Sequence, residues 1–204
     1  IWSTAEAEEA AKYGSEPGLI KIETIEKDGD GGVHAYGTDD RMVLGHSNPN
    51  WVLGFTNNFT YKGFDLSIHT MARLGQMIQS DMLSRYTASD DITVNQIAGT
   101  DYWTENNQGA YFPRPGSAKK QSAYYSALTF VDGSFFKIKN ITLGYTLPTN
   151  LVKKAFMERV RFYATAYNPV IFCKSILKDT DPETGGSDAF PTYREFVFGV
   201  NVTF

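Results

Sequence analysis

The amino-acid sequence predicts an all-β fold in which long antiparallel strands cross a membrane as part of a β-barrel. Residues 51–62 and 64–74 alternate apolar and polar side chains, over stretches much longer than the roughly five or six residues of an average soluble strand. Such stretches match tilted transmembrane strands of about 9–11 residues. The connections also alternate between short turns and long loops, an asymmetry that is typical of outer-membrane barrels.

The composition excludes several other classes of protein. The chain has 204 residues, a formal charge of −4, 42% hydrophobic residues and 14% aromatic residues. No run approaches the roughly 18 apolar residues of a transmembrane helix, which excludes a helical membrane protein. Barrel strands give a weaker hydropathy signal and are not excluded. The sequence has no dense Lys/Arg stripe, which argues against a nucleic-acid partner.

The first part of the chain predicts a helix, a strand and a loop in that order. Residues 1–13 predict a short helix capped by Ser3 or by Thr4, and Glu6 is placed to close a capping box with Ser3. Residues 19–25 alternate as a short strand. Residues 26–41 are rich in Gly and Asp and predict a loop.

This loop contains a candidate calcium site. Carboxylates occur at alternate positions ahead of a glycine, as at the start of a Ca²⁺-binding loop. The twelfth position, counted from the first of them, is Gly37 rather than the Glu of an EF-hand. A solvated acidic turn therefore stays open as the alternative, and no other cofactor is predicted. The candidate ligands are Glu26, Asp28, Asp30 and Asp40.

The middle of the chain predicts a hairpin followed by a long loop region. Lys62-Gly63 forms the tight turn between the two strands of the hairpin. Residues 75–131 lack long alternation and predict one or two short helices and an aromatic loop rich in Pro and Gly. A loop region of this length fits a compact soluble domain poorly and fits the external loops of a barrel well.

Aromatic side chains in the long loop are candidates for contact with a substrate or a partner protein. Aromatic rings stack on the flat faces of sugars, which would serve an importer of glycans. The alternative is that these rings pack against other loops, because nothing in the sequence fixes their orientation. The candidates are Tyr102, Trp103, Tyr111 and Phe112.

Three further strands complete the predicted sheet. They cover residues 134–147, 158–167 and 193–204, joined by a short linker at 149–157 and a long loop at 168–191. The last strand has one apolar face, made of Phe196, Phe198, Val200, Val202 and Phe204.

Two lysines interrupt the pattern of the first of these strands. Lys137 and Lys139 fall on the same parity as Ile141 and the apolar residues that follow it. Either a bulge between these lysines and Ile141 re-aims both of them, or they lie above the membrane. The alternation alone leaves both possibilities open.

The sequence predicts no catalytic residue, and hence not an enzyme. Ser134 is not in a GxSxG nucleophile elbow, and Cys173 has no paired His motif. The three histidines are scattered and lack a zinc-binding spacing. Asp181 and Glu183 form a carboxylate pair, but in a loop expected to be flexible, whereas a glycosidase pair needs a fixed separation.

Five segments of the chain, in order, resemble the SusC/RagA family of TonB-linked outer-membrane transporters. SFFKIKNITLGYTLP is similar to a hallmark of that family, as is NPNWVLGFTNNFTYKGFDLSI. The other matching segments are 16–45, 102–115 with YWTENN and YFPRP, and 181–204 with DPETGG and the ending FPTYREFVFGVNVTF. The resemblance covers nearly the whole chain.

The resemblance implies a fold and an activity. Residues 1–204 would be the C-terminal part of a 22-stranded transmembrane antiparallel β-barrel, with long extracellular loops and short periplasmic turns. The plug domain and the earlier strands would lie upstream. The activity would be TonB-dependent active import of large nutrients, oligosaccharides or peptides, across the outer membrane of Bacteroidota.

The resemblance also implies partners. A SusD-like surface lipoprotein would cap the barrel, and TonB would supply energy through an upstream region absent from this chain. The apolar face would contact outer-membrane lipid. The barrel-assembly machinery would recognise the terminal strand through Phe196, Phe198, Val200, Val202 and Phe204.

The alternative from another class is a soluble β-sandwich that binds carbohydrate. A sandwich predicts that Phe196, Phe198 and Phe204 are buried in one closed core. The transporter predicts that they lie on an outer apolar belt.

Overall fold

The structure is a computed structural model that describes residues 1–22, 40–87, 98–116, 124–177, 180–187, 189–190 and 192–204. The chain forms two compact units. Unit 1 contains Ile1–Gly45 and Gln79–Val131, and unit 2 contains His46–Ile78 and Asp132–Phe204. Among the helices in the described ranges, none is long and apolar enough to span a membrane.

Most of the regular structure is β-strand. The strands in chain order are β1 Trp51–Tyr61, β2 Phe64–Leu74, β3 Met77–Gln79, β4 Phe130–Asp132, β5 Phe135–Thr146, β6 Arg159–Cys173 and β7 Glu195–Thr203. Five of them form one sheet in the order β1-β2-β5-β6-β7, and β3 pairs with β4. Every pairing in the five-stranded sheet is antiparallel. The all-β antiparallel prediction is confirmed, and the sheet is open, with β1 and β7 at its edges.

The turn between β1 and β2 has the predicted length and chemistry. Lys62 and Gly63 have φ values of 46° and 87°, the positive pair that a two-residue type I′ hairpin requires. A Cβ on Gly63 would lie 2.8 Å from the carbonyl oxygen of Thr146. Glycine is therefore needed for its conformation and for the close approach of β5.

The connection between β5 and β6 is also compact. A single helical turn at Thr149–Val152 continues into a 3-10 turn at Lys153–Ala155, and Phe156 closes the connection with a φ of 58°. The sequence predicted a short linker at 149–157, and the structure confirms a short connection there.

Strand β6 is longer than its alternation predicted. The sequence placed its end at residue 167, before Asn168-Pro169, but the strand continues to Cys173. Asn168 has a φ of 49°, which asparagine tolerates better than most residues. The register shifts across Asn168 and Pro169, and a bulge accommodates a proline that donates no ladder hydrogen bond. The sequence predicted a loop from residue 168. This prediction was wrong, because the pairing of β6 with β5 resumes after the bulge.

Unit 1 begins with the predicted short helix. A 3-10 turn at Thr4–Glu6 leads into α1 Ala7–Lys12, and the Ser3–Glu6 capping box is present. Trp2, Ala10 and Leu19 form a small buried cluster. Leu19 is not in a strand. Its backbone N–H donates to the carbonyl oxygen of Glu16, which closes a turn, and its carbonyl oxygen accepts a hydrogen bond from the N–H of Trp2. The predicted strand at 19–25 is therefore absent over 19–22, and its remainder lies outside the described residues.

The long central region contains short helical segments in its described part. Helix α2 Asp81–Tyr86 begins at Ser80, whose hydroxyl accepts a hydrogen bond of 3.3 Å from the backbone N–H of Leu83. A 3-10 turn at Ser126–Thr129 precedes β4. The helical turn Thr149–Val152 between β5 and β6 is numbered α3.

Candidate functional site

One face of the five-stranded sheet is an exposed apolar surface, here called the apolar face. Residues paired directly across antiparallel strands point to the same side of a sheet. The register therefore places apolar side chains in rows that run across all five strands. Two of these rows are Tyr61, Phe64, Tyr145, Phe162 and Val200, and Phe59, Leu66, Leu143, Ala164 and Phe198.

The terminal strand contributes strongly to this face. Phe196, Phe198 and Phe204 are 65%, 79% and 83% exposed. Val200 and Val202 are exposed as well. A closed sandwich core requires these side chains to be buried, and the structure places them outside any core in the described chain.

A β-bulge at Lys139 resolves the position of the two lysines. Lys139 has no partner in either register, because the β2–β5 and β5–β6 pairings both step from Asn140 to Ile138. The extra residue reverses the parity of the strand before it. Lys137 consequently leaves the apolar parity and pairs with Met71 on the opposite face. A bulge therefore re-aims Lys137, and it lies at Lys139 itself rather than between the two lysines and Ile141.

The opposite face of the sheet, here called the polar face, contains an ion pair that spans three strands. The Arg161 Nε donates to Asp65 Oδ1 at 2.9 Å, and the Arg161 Nη2 donates to the other carboxylate oxygen. Asp65 is on β2 and Arg161 is on β6, with β5 between them. The pair passes over Gly144, where a Cβ would collide with both side chains. Glycine on the middle strand therefore allows the pair to form.

A second glycine accommodates an aromatic ring on the same face. The ring of Tyr163 lies over Gly199, its direct partner on β7, and leaves no room for a Cβ there. The Arg161 guanidinium lies 5.4 Å from the centre of the Tyr163 ring, within cation–π range. The polar face is thus packed from β2 to β7 at the end near the Lys62-Gly63 turn.

At the other end of the polar face, the loop between β6 and β7 is held to β5 by ionic hydrogen bonds. We call its segment Asp181–Gly186 the strap. Lys137 Nζ donates to Asp181 Oδ2 and, at 2.8 Å, to Glu183 Oε2. Lys139 Nζ donates to Glu183 at 2.7 and 2.9 Å. The backbone N–H of Glu183 donates to Asp181 Oδ1 at 3.0 Å.

Burial makes this cluster energetically important. The Lys137 side chain is 2% exposed, Asp181 is 9% and Glu183 is 22%. Removing one partner from a buried ionic pair leaves an uncompensated charge and typically costs about 3–5 kcal/mol. The strap is therefore fixed on the sheet, and the expectation that this carboxylate pair lies in a flexible loop was wrong.

The charges of the strap are fixed in their ionised forms. Burial acts to raise the pKa of Asp181, but hydrogen bonds from Lys137, the Glu183 backbone and Thr192 outweigh it, so the pKa is lowered. Burial likewise acts to raise the pKa of Glu183, and hydrogen bonds from Lys137 and Lys139 lower it. Both carboxylates are therefore acceptors only and are not placed to act as a general acid.

Sequence reasoning missed this cluster as a unit. It noted the lysines as an anomaly of parity and the carboxylates as a separate pair, although Lys137 and Asp181 are 44 positions apart and in contact. The sequence did contain a signal for the cluster. Two lysines occupy positions of apolar parity in one strand, and an acidic loop follows a later strand. Only the bulge brings them to one face.

The predicted aromatic residues lie in a structured loop of unit 1. Trp103 and Phe112 are both 4% exposed, whereas Tyr111 is 45% exposed. Trp103 packs over Gly18, where a Cβ would lie 2.8 Å from its ring. Tyr111 and Phe112 make an edge contact with ring centres 4.9 Å apart. Two of the four candidates thus pack inside the loop, and Tyr111 presents its ring at the surface.

Asp101 stabilises the conformation of this loop. Its two carboxylate oxygens accept hydrogen bonds from the Asn107 side chain at 2.8 Å and the Tyr111 backbone at 3.0 Å. These bonds lower the pKa of Asp101. The carboxylate therefore fixes the backbone on which Tyr111 is presented.

The candidate calcium site lies almost entirely outside the described residues. Glu26, Asp28 and Asp30 fall in the range 23–39, and Asp40 alone of the four is described. Within the described part of the chain, no three His, Cys, Asp or Glu side chains are grouped to hold a metal ion. The calcium site stays a prediction.

Known proteins match this chain at both the sequence and the structure level. TonB-dependent receptor P3 of Formosa agariphila is 26% identical over 183 residues, which are 82% of this chain and 18% of the receptor. TonB-dependent receptor SusC of Bacteroides thetaiotaomicron is 28% identical over 185 residues, 88% of this chain and 17% of SusC. No protein-family model matches the chain.

Solved structures share the fold. A structure of the RagAB peptide transporter matches with a TM-score of 0.66 and 24% identity, over 83% of this chain and 19% of that chain. The RagAB peptide importer in its closed-closed state gives the same TM-score and identity over 88% and 20%. The chain is thus related to SusC-like TonB-dependent receptors and spans about a fifth of their length. The resemblance seen in the sequence is confirmed.

Proposed function

We propose that this chain, a relative of SusC-like TonB-dependent receptors, forms part of the wall of an outer-membrane β-barrel that imports large nutrients. The exposed apolar face carries this proposal. Its side chains include Phe55, Phe59, Phe162 and Phe198, each about half exposed or more. Soluble monomers rarely expose a contiguous apolar patch larger than a few hundred Å². Lipid is the environment in which such a face is stable.

Strand length and the open edges support the membrane environment. Strands β1 and β2 have 11 residues each, and β5 has 12. A tilted transmembrane strand needs about 9–11 residues. An open edge in hydrocarbon leaves several backbone N–H and C=O groups unpaired, which membranes do not tolerate. We infer that further strands pair with β1 and β7 and close a barrel, with 22 strands in all.

The relatives are long enough to contain those further strands. The chain matches only 17–18% of the curated relatives. We infer that residues 1–204 are the C-terminal portion of a longer polypeptide. Its upstream part would supply the remaining strands, a plug domain inside the barrel and the segment that binds TonB.

The proposed orientation assigns a role to each face. The apolar face contacts outer-membrane lipid and the polar face lines the interior of the barrel. The short turn at Lys62-Gly63 and the connection at 148–157 face the periplasm, while the long loops at 26–48, 75–131 and 168–191 face the outside. The barrel-assembly machinery would recognise the exposed apolar residues of β7.

Import requires partners outside this chain. We propose that TonB supplies energy and that a SusD-like lipoprotein caps the barrel from the cell surface. The RagAB structures are described as a peptide transporter, and SusC as a TonB-dependent receptor. We propose an oligosaccharide or a peptide as the substrate, with Tyr111 available for contact with the substrate or the lipoprotein. A Ca²⁺ ion in the loop 26–40 is part of the same proposal.

Fractionation of the source cells tests the proposal. We expect the full-length polypeptide in the outer membrane and, on an unboiled gel, in a complex of several times the 22.8 kDa of this chain. A lipoprotein should co-purify with it. Recovery of this chain as a soluble species near its own mass would contradict the proposal and favour the β-sandwich.

A further inference from the structure

Unit 2 contains a shallow apolar groove at the end of the sheet near the short turns. Its volume is about 420 Å³ and its surface is almost wholly apolar. Ala164 lies in the middle, between its partners Leu143 on β5 and Phe198 on β7. Phe64, Tyr145 and Phe162 form the wall toward the turns. The small side chain of Ala164 among larger neighbours creates the depression.

The groove lies mainly on the apolar face. Most of its lining side chains belong to the apolar rows of β2, β5, β6 and β7. The rings of Phe64 and Tyr145 are 4.5 Å apart, centre to centre, so the wall nearest the turns is continuous. An extended hydrocarbon chain fits a depression of this shape and composition.

Basic side chains surround the end of the sheet beyond this groove. They are Lys62 in the first turn, Lys153 and Lys154 in the second connection, and Arg159 at the start of β6, all of them exposed. The acidic side chains among the described residues there are Glu158 and Asp65, and Asp65 is paired with Arg161. Cations therefore predominate at this end.

Lys62 lies on the side of the apolar face, whereas Arg159 is on the polar parity of β6. Lys62 Nζ is 5.2 Å from the centre of the Tyr61 ring, and Tyr61 belongs to an apolar row. The second connection carries the exposed apolar side chains Leu151 and Phe156, which are 57% and 93% exposed, beside Lys153 and Lys154. Apolar groups flanked by lysine are typical of a segment at the membrane surface.

We propose that this end of the sheet is a binding site for one anionic phospholipid. Its phosphate would bind among Lys62, Lys153 and Lys154, and one acyl chain would lie in the groove over Ala164. The inference rests on the proposed function, because the site requires the apolar face to be in a bilayer. The lipid is anionic because the surrounding cations exceed the available acids.

The test uses the full-length protein purified in mild detergent. Native mass spectrometry would count bound lipids after incubation with phosphatidylglycerol or with phosphatidylcholine of the same acyl chains. We expect selective retention of phosphatidylglycerol. Basic residues contribute about 1 kcal/mol each near an anionic lipid surface, so Lys62→Gln with Lys153→Gln and Lys154→Gln should reduce the preference about tenfold or more.

Two further variants separate the groove from the charges. Ala164→Phe fills the groove and should reduce retention of both lipids. Ala166→Phe, on the same strand and face but outside the groove lining, is its matched control. Lys174→Gln, an exposed lysine 63% accessible beyond the other end of β6, is the control for charge.

The outcomes are decisive for the site. Equal retention of both lipids by the unaltered protein, a preserved preference in the triple variant, or equal losses with Lys174→Gln would each overturn the proposal. Equal effects of Ala164→Phe and Ala166→Phe would exclude the groove. Each variant is first checked for outer-membrane location. If the unaltered protein is absent from that membrane, the proposed function fails; if it is present without lipid preference, only this inference fails.

Discussion

At the scale of single residues, Lys137 contributes most to holding the strap on the sheet. Its ammonium is buried and bonds two carboxylates of the strap. Arg73 adds a longer hydrogen bond of 3.4 Å from Nη1 to the backbone carbonyl of Glu183. The strap therefore depends on β5 more than on β2.

Replacement of Lys137 by Met should release the strap. The change leaves the buried Asp181 carboxylate without a lysine partner and Glu183 with Lys139 alone, and we expect a loss of about 3 kcal/mol in the free energy of unfolding. The measurement is urea unfolding of the full-length protein, together with the rate of protease cleavage between residues 174 and 194. Cleavage should become faster.

Two variants control this prediction. Lys139→Met removes the more exposed lysine, 31% accessible, and should cost about 1 kcal/mol or less. Lys137→Met combined with Asp181→Asn and Glu183→Gln removes the uncompensated charges and should recover part of the loss. Equal effects of the two single lysine changes would show that burial does not control the strength of the cluster.

At the scale of elements, two glycines set how closely side chains cross the polar face. Gly144 lies beneath the Asp65–Arg161 pair, and Gly199 lies beneath Tyr163. Both glycines occur where strands are otherwise rich in branched and aromatic residues, which sheets prefer. Their value is the space that they leave for side chains of neighbouring strands.

Replacement of Gly199 by Ala should displace the Tyr163 ring and weaken the pairing of β6 with β7. Overpacking of this kind costs about 1–3 kcal/mol. The measurement is the temperature at which the folded band is lost on an unboiled gel. We expect this temperature to fall for Gly199→Ala and to recover when Tyr163→Ala is added.

The single change Tyr163→Ala is the reference for this pair. An additive double variant would show that the ring and the glycine act independently. Gly54→Ala, on the polar parity of β1 where a Cβ meets nothing within 4 Å, is the matched control and should have little effect.

At the scale of the whole molecule, the two faces of the sheet should tolerate charge very differently. Ile68 lies on the apolar face and Ser67 on the polar face, in adjacent positions of β2. A lysine on the lipid face of a barrel costs about 2–4 kcal/mol near the bilayer midplane. A lysine facing the interior is hydrated.

We therefore expect Ile68→Lys to reduce the amount of folded protein in the outer membrane several-fold and Ser67→Lys to leave it nearly unchanged. Immunoblots of outer-membrane fractions, run unboiled, measure both. Tolerance of Ile68→Lys with loss for Ser67→Lys would invert the assignment of the two faces. That result would indicate that the polar face, rather than the apolar face, is covered by other protein.

The family resemblance and the main elements could be predicted from the sequence because they depend on local patterns. Alternation over β1, β2 and β7 indicated both the strands and the face that each residue occupies, and Lys62-Gly63 indicated the hairpin turn. The capping box at Ser3 and Glu6 was equally local. These features follow from the chemistry of neighbouring residues, which the sequence displays directly.

The bulge at Lys139, the extension of β6 and the strap were decided only by the tertiary structure. Parity along β5 is interrupted by one unpaired residue, and β6 continues through Asn168-Pro169 because β5 offers pairing partners on both sides of the bulge. The Lys137–Asp181 contact joins residues 44 positions apart. Such contacts depend on register across several strands, and a period of two along one strand does not contain that information.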